Sequence, residues 1–185
     1  SLNEDELYEL KIAAWMHDCG KVTTPVHVID KARKLETIVD RMQMVRTRFE
    51  VLRRGAELAH LRRLAAGAEP AASSATYEAT LAQLDADLAF LEKANVGSEF
   101  LPPESQARIA ELGQRTYEEN GERRRLFSDD EVENLSVSRG TLTQTERVTI
   151  NRHMVETIKM LEALPFPRNL RRVPEYAGGH HEKMD

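Results

Sequence analysis

His17 and Asp18 stand side by side in the run Ala13-Ala14-Trp15-Met16-His17-Asp18-Cys19-Gly20-Lys21. An imidazole nitrogen and a carboxylate oxygen from adjacent residues can ligate one hard or borderline divalent cation, so the pair points to metal-assisted chemistry. Two other places in the chain offer histidines for the same purpose. One is His153, and the other is the doublet His180-His181, which Glu182 and Asp185 follow. The odds that one such doublet arises by chance in a chain of this length are roughly one in five to ten, so the weight falls on the arrangement. By itself His153 reads as an ordinary helix residue, Lys21 as a surface lysine and Cys19 as a small buried apolar residue. His27 and His60 fit no pattern and are read as structural.

The elements that must position these residues are helical. Leu7, Leu10, Ala13 and Ala14 recur at helix spacing and predict a helix from about Glu4 to Met16 that delivers His17 and Asp18 at its end. Gly20 suits the stop, and Thr23-Thr24-Pro25 predicts the start of an extended segment. From Leu35 the pattern changes. Ile38, Met42, Val45, Phe49, Leu52, Ala56 and Ala59 alternate spacings of four and three, as in a coiled-coil seam. The stretch from Gly67 to Ser74, with Pro70 inside it, predicts a turn, after which Tyr77, Leu81, Leu84, Leu88 and Leu91 resume the spacing. Two such seams predict an antiparallel helical hairpin, and an arm of about 28 residues would span roughly 40 Å at 1.5 Å per residue.

A third helix is expected from Pro102-Pro103 to the Asn120-Gly121 pair, taken as a stop signal. Arg123-Arg124-Arg125 reads as a solvated patch among acidic neighbours. Ser128 with Glu131, and Thr143 with Glu146, match capping boxes. The second box opens a helix bearing Val148, Met154, Val155, Ile158 and Leu161, with His153 within it. Prolines 165, 167 and 174 precede a last short helix containing Ala177 to His181.

Composition supports an all-α chain: 185 residues, 41% hydrophobic, 5% aromatic and 31% charged. Lys and Arg total 26 against 31 Asp and Glu, a formal charge of −5, so the broad basic field needed for duplex nucleic acid is missing. A small phosphorylated ligand held by a few local cations fits this charge. One cysteine allows no internal disulfide, and no apolar run has the length of a membrane span. The expectation is a soluble cytoplasmic chain, or the cytoplasmic part of a larger sensor, with no membrane contact of its own.

Residues 13–25 resemble the first motif of the HD superfamily of metal-dependent phosphohydrolases, in its HDxGK form. Gly140-Thr141-Leu142-Thr143, Glu146 and Asn151-Arg152-His153 look like the family segment that carries the third-motif histidine. Gly179-His180-His181-Glu182-Lys183-Met184-Asp185 is similar to the HHExxD stretch of the HD-GYP branch. The three matches stand in family order. Between the first and the second this chain carries far more sequence than the family does. Residues 1–34 and 138–185 therefore read as an HD helical core, and 35–137 as a helical insertion containing the coiled-coil hairpin. Extra loop length costs little, about 0.6 kcal/mol per doubling.

The resemblance implies that His17, Asp18, His153, His180 and His181 ligate two or more metal ions. Asp18 would bridge them and Lys21 would act near the scissile phosphate. Iron or manganese suits such mixed ligation, and zinc is also compatible. The implied reaction is attack by a metal-activated hydroxide on a cyclic dinucleotide, cyclic di-GMP, in the output domain of a bacterial signalling protein. The sequence stops at Asp185, before the GxGYP stretch, so the resemblance also implies a site completed by residues outside it. Two alternatives stay open: a catalytically incomplete HD-fold signalling or interaction module, and an HD phosphohydrolase acting on another nucleotide. The hairpin seam could pack within one chain or across a homodimer.

Overall fold

The computed structural model describes residues 3–179. Contacts divide the chain into two compact units, residues 1–30 with 144–185 and residues 31–143. Each is helical, and the one sheet among the described residues is a two-stranded hairpin.

In the first unit, α1 spans Glu4–Met16. Its start is fixed by a capping box in which Glu6 N donates to Asn3 Oδ1 and Asn3 N to Glu6 Oε2, both at 2.8 Å. The buried face is Glu9 and Ala13, with Ile12 and Met16 beside them; of the expected face only Ala13 is buried, and Leu7, Leu10 and Ala14 are exposed. Glu9 turns inward because its carboxylate accepts the backbone N–H of Arg172 at 2.5 Å. A 3-10 turn, Cys19–Thr23, follows. The expected extended segment shrinks to Thr24 and Pro25, since a short helix, α2 (Val26–Ile29), starts at once. Thr24 is extended because the proline after it disfavours a helical backbone.

α7 covers Gln144–Glu162 and α8 Val173–Gly179, with a 3-10 turn at Arg168–Leu170 before α8. Leu161, Val173 and Ala177 bury against Ala13. On α7 the buried residues are His153, Thr157 and Leu161, spaced four apart, while Val148 and Val155 face solvent. The inward face of α7 is therefore partly polar, with Leu161 its one buried apolar residue. The doublet His180-His181, expected in the last helix, lies outside the described residues.

The second unit contains the expected hairpin, α3 (Met42–Ala65) and α4 (Pro70–Val96). Met42, Val45 and Phe49 on α3 bury with Leu84 and Leu91 on α4. Ile38 precedes the helix and is exposed. The turn is shorter than expected, because Pro70 begins α4 rather than interrupting it: Glu69 caps the N–H groups of Ala71 and Ala72 at 3.0 and 2.6 Å. α5 spans Pro103–Gln114 and stops well short of Asn120. Strands β1 (Thr116–Glu119) and β2 (Glu122–Arg125) pair antiparallel instead, with Asn120 and Gly121 both at positive φ between them. Asn-Gly here is a two-residue hairpin turn, whose backbone twist suits the strands it joins. Arg124 and Arg125 are exposed and ion-paired with Glu119, Glu122 and Asp129.

α6 (Asp129–Leu135) has the expected Ser128–Glu131 capping box. Phe49, Phe127, Leu126, Ile109 and Leu112 complete the core, each buried side chain worth about 1.5–3 kcal/mol. Residues 31–34 and 138–143, expected in the HD core, fall in this unit. Lys31 Nζ donates to Asn134 Oδ1 at 2.6 Å, Lys34 Nζ to the carbonyls of Leu135 and Val137, and Thr141 Oγ1 to the Lys31 carbonyl at 2.9 Å. The outgoing and returning chain are thus joined at the base of this unit.

Candidate metal centre

His17, Asp18, Lys21 and His153 meet in the first unit. α1 ends at Met16, and His17 keeps a helical backbone as its cap residue (φ −56°, ψ −26°). Asp18 leaves the helix (φ −108°, ψ 9°), and the 3-10 turn closes with Lys21 N donating to the Asp18 carbonyl at 2.9 Å. Gly20 is buried where this turn meets α7. A Cβ there would lie 2.5 Å from Thr157 N and 2.6 Å from Thr157 Oγ1, and closer still to the His153 carbonyl. Only glycine lets the turn approach α7 this closely. The contact is fastened by Gly20 N donating to Thr157 Oγ1 at 2.9 Å.

The Asp18 carboxylate is the centre of the cluster. Its Oδ2 is 2.5 Å from Lys21 Nζ and 3.2 Å from His17 Nε2, and its Oδ1 is 3.3 Å from His153 Nε2. Asp18, Lys21 and His17 are a third or more exposed, whereas His153 is buried. Burial raises the Asp18 pKa, but the hydrogen bond from Lys21 and the charges of His17, Lys21 and His153 outweigh it. The carboxyl is held below its ordinary value and stays ionised.

Both imidazoles are oriented in the same way. His17 Nδ1 lies 2.7 Å from the Ala14 carbonyl, and His153 Nδ1 contacts the Ile150 carbonyl. A carbonyl only accepts, so each Nδ1 carries a proton, and Nε2 is the nitrogen turned toward Asp18. Backbone carbonyls fixing the far nitrogen are also what orients metal-ligating histidines. Among the described residues no three His, Cys, Asp or Glu side chains form a ready-made cage. The observed Nε2 to oxygen distances are those of direct ion pairs. The donor chemistry, two imidazole nitrogens and a bidentate carboxylate, nonetheless fits a divalent transition metal.

His180 and His181 lie outside the described residues. Cys19 packs on the small core of the unit, and His60 stacks on Tyr77 with Nδ1 2.9 Å from Ser73 Oγ, a packing role in each case. An open cleft of about 720 Å³ between α7 and α8 includes Arg171 but none of the four clustered residues. Thr157 is the site residue that motif spacing does not reveal. Its only sequence signal is a polar residue four positions after His153, on the same helix face.

Residues 124–185 match the family model described as an HD domain, about a third of the chain. No curated protein and no solved structure matches the chain.

Proposed function

We propose that this chain, whose residues 124–185 match an HD domain, is a metal-dependent phosphodiesterase whose ions are held by His17, Asp18 and His153. The observation that carries this reading is the convergence of two oriented Nε2 atoms and the Lys21 ammonium on the two oxygens of one ionised carboxylate. His180 and His181, by their likeness to the HHExxD stretch, are the further ligands of this proposal. When bound, the divalent ions, iron or manganese in preference to zinc, supply Lewis acidity that lowers the pKa of the attacking water and offsets charge on the phosphoryl oxygens.

The chain's own groups do the rest. Asp18, held ionised, keeps two anionic oxygens available to two ions. The Ala14 and Ile150 carbonyls keep His17 Nε2 and His153 Nε2 facing it. Lys21 neutralises charge on the phosphate and the departing ribose oxygen, a role suited to a flexible ammonium already within 2.5 Å of Asp18. The proposed substrate is cyclic di-GMP, opened by water to the linear dinucleotide, in the output domain of a bacterial signalling protein. Support for this finer reading is the order of the three motif resemblances.

The test is hydrolysis of cyclic di-GMP in added Mn²⁺ or Fe²⁺, followed by chromatography. Linear dinucleotide should appear with the wild-type chain and should fall by at least about a thousandfold in Asp18→Ala, as expected when a ligand shared by both ions is lost. Undiminished turnover by Asp18→Ala would show the ligand assignment to be wrong. Metal-dependent turnover of a different nucleotide only would replace the substrate and leave the site. The same proposal gives the hairpin a partner, a second copy of this chain. Met44, Val51 and Leu58 form a solvent-facing apolar stripe at seven-residue spacing on α3, separate from the buried seam.

A further inference from the structure

We propose that Thr157 is a positioning residue that releases Asp18 for metal binding by taking over the capping bond Asp18 would otherwise make. The inference rests on the metal-site reading above. Asp18 is the cap residue of the 3-10 turn Cys19–Thr23. Aspartate at such a position ordinarily folds its carboxylate back onto the N–H two or three residues on, because the first N–H groups of a helical turn have no partner within it. Here the Asp18 side chain makes no capping bond. The N–H two residues on, that of Gly20, donates to Thr157 Oγ1 at 2.9 Å, from a threonine that is 1% exposed. The N–H three residues on, that of Lys21, is taken by the Asp18 carbonyl at 2.9 Å.

With both candidate donors satisfied elsewhere, the carboxylate turns outward. It faces His17 Nε2, His153 Nε2 and Lys21 Nζ. The geometry of α7 makes the exchange possible. His153 and Thr157 are one turn apart on its buried face, so the helix that presents one imidazole to Asp18 also presents the hydroxyl to Gly20. Gly20, lacking a Cβ, is what brings its amide within reach. Packing alone would be served as well by valine, which matches threonine in shape but accepts no hydrogen bond. In Thr157→Val the buried Gly20 N–H loses its acceptor, and the carboxylate of Asp18, the cap residue two positions before it, is a group able to replace it. Each carboxylate that folds back is one withdrawn from the metal.

The experiment is calorimetric titration of Mn²⁺ into the full chain as wild type, Thr157→Val, Thr157→Ser and Asp18→Ala, at a temperature where all have wild-type circular dichroism. Loss of an outer partner of a ligand typically costs about 10–100-fold in metal affinity, and Thr157→Val should lose that much. Thr157→Ser, which restores the acceptor, should return to within about threefold of wild type. A merely structural role would lower the melting temperature of Thr157→Val and leave its Mn²⁺ affinity unchanged, and that result overturns the proposal. So does a serine variant as weak as the valine one. Should valine not fold, Thr157→Ala takes its place under the same criterion. Wild type binding no more Mn²⁺ than Asp18→Ala removes the metal site itself and this inference with it, whereas wild-type binding with an unaffected valine variant removes this inference alone.

Discussion

At Gly20 the chain has room for a hydrogen and nothing more, and the distance between Asp18 and His153 depends on it. A methyl group would meet the backbone of His153 and Thr157, which sits in a regular helix and cannot yield as a side chain end would. Gly20→Ala should therefore destabilise the protein by about 3 kcal/mol, at the upper end for overpacking, and weaken metal binding as the turn is pushed off α7. Thermal unfolding read beside Mn²⁺ titration checks this, and a fully stable alanine variant would mean that the turn can shift freely. At this scale the sequence was informative where chemistry and spacing coincide. His17, Asp18, Gly20 and Lys21 are contiguous, and His153 follows in family order. Thr157 was not legible, because a threonine in a helix has no distinctive pattern until the group facing it is known.

Among the elements, α4 and α5 are joined by a buried charge rather than by apolar contact alone. Asp87 is 1% exposed and accepts from Arg108 Nη2 at 2.8 Å and Arg115 Nη1 at 2.7 Å, with Gln83 Nε2 at 3.0 Å. Burial raises the Asp87 pKa, but the hydrogen bonds from Arg108 and Arg115 dominate and hold it below its ordinary 3.8. A depressed carboxyl pKa means that the folded state binds fewer protons than the unfolded one. Its stabilisation is complete above pH 3.8 and is lost as pH falls through the lower folded-state value. Asp87→Asn should cost about 2 kcal/mol at pH 7, less than a fully enclosed pair because both guanidinium groups reach solvent, and should flatten the acid limb of stability against pH. Urea unfolding from pH 3 to 7 measures both, and an unchanged acid limb would contradict the assignment. The hairpin helices were legible because four-three spacing survives in Met42, Val45, Phe49, Leu84 and Leu91. The Asn120-Gly121 turn was not, since an Asn-Gly pair ends a helix or makes a hairpin, and the flanking Thr116-Tyr117 and Arg123-Arg124 settle which only once paired. The polar part of the inward faces of α1 and α7 was not legible for one reason: Glu9, His153 and Thr157 are buried by hydrogen bonds and ion pairs that hydrophobic periodicity does not register.

For the molecule as a whole, the segment that matches an HD domain, residues 124–185, begins inside a helical unit, residues 31–143, whose two ends are joined by the Thr141 to Lys31 bond. A unit that closes at its own base can be long without a large entropic cost. The all-α class follows from composition, and no helix among the described residues is long and apolar enough to cross a membrane. If the second stripe on α3 mediates self-association, light scattering of the full chain should give a dimer mass. Val51→Glu with Leu58→Glu should then give a monomer of unchanged helicity, and a wild-type monomer at tens of micromolar would exclude this role. Whether His17, Asp18 and His153 share a metal is decided by an anomalous-difference map from crystals of Mn²⁺-loaded protein at the manganese edge. Shared ligation should give a peak within bonding distance of an Asp18 oxygen and of His17 Nε2 or His153 Nε2, with Lys21 displaced from its present contact. Mn²⁺-loaded crystals with no peak at Asp18, and with Lys21 still on its carboxylate, would contradict it.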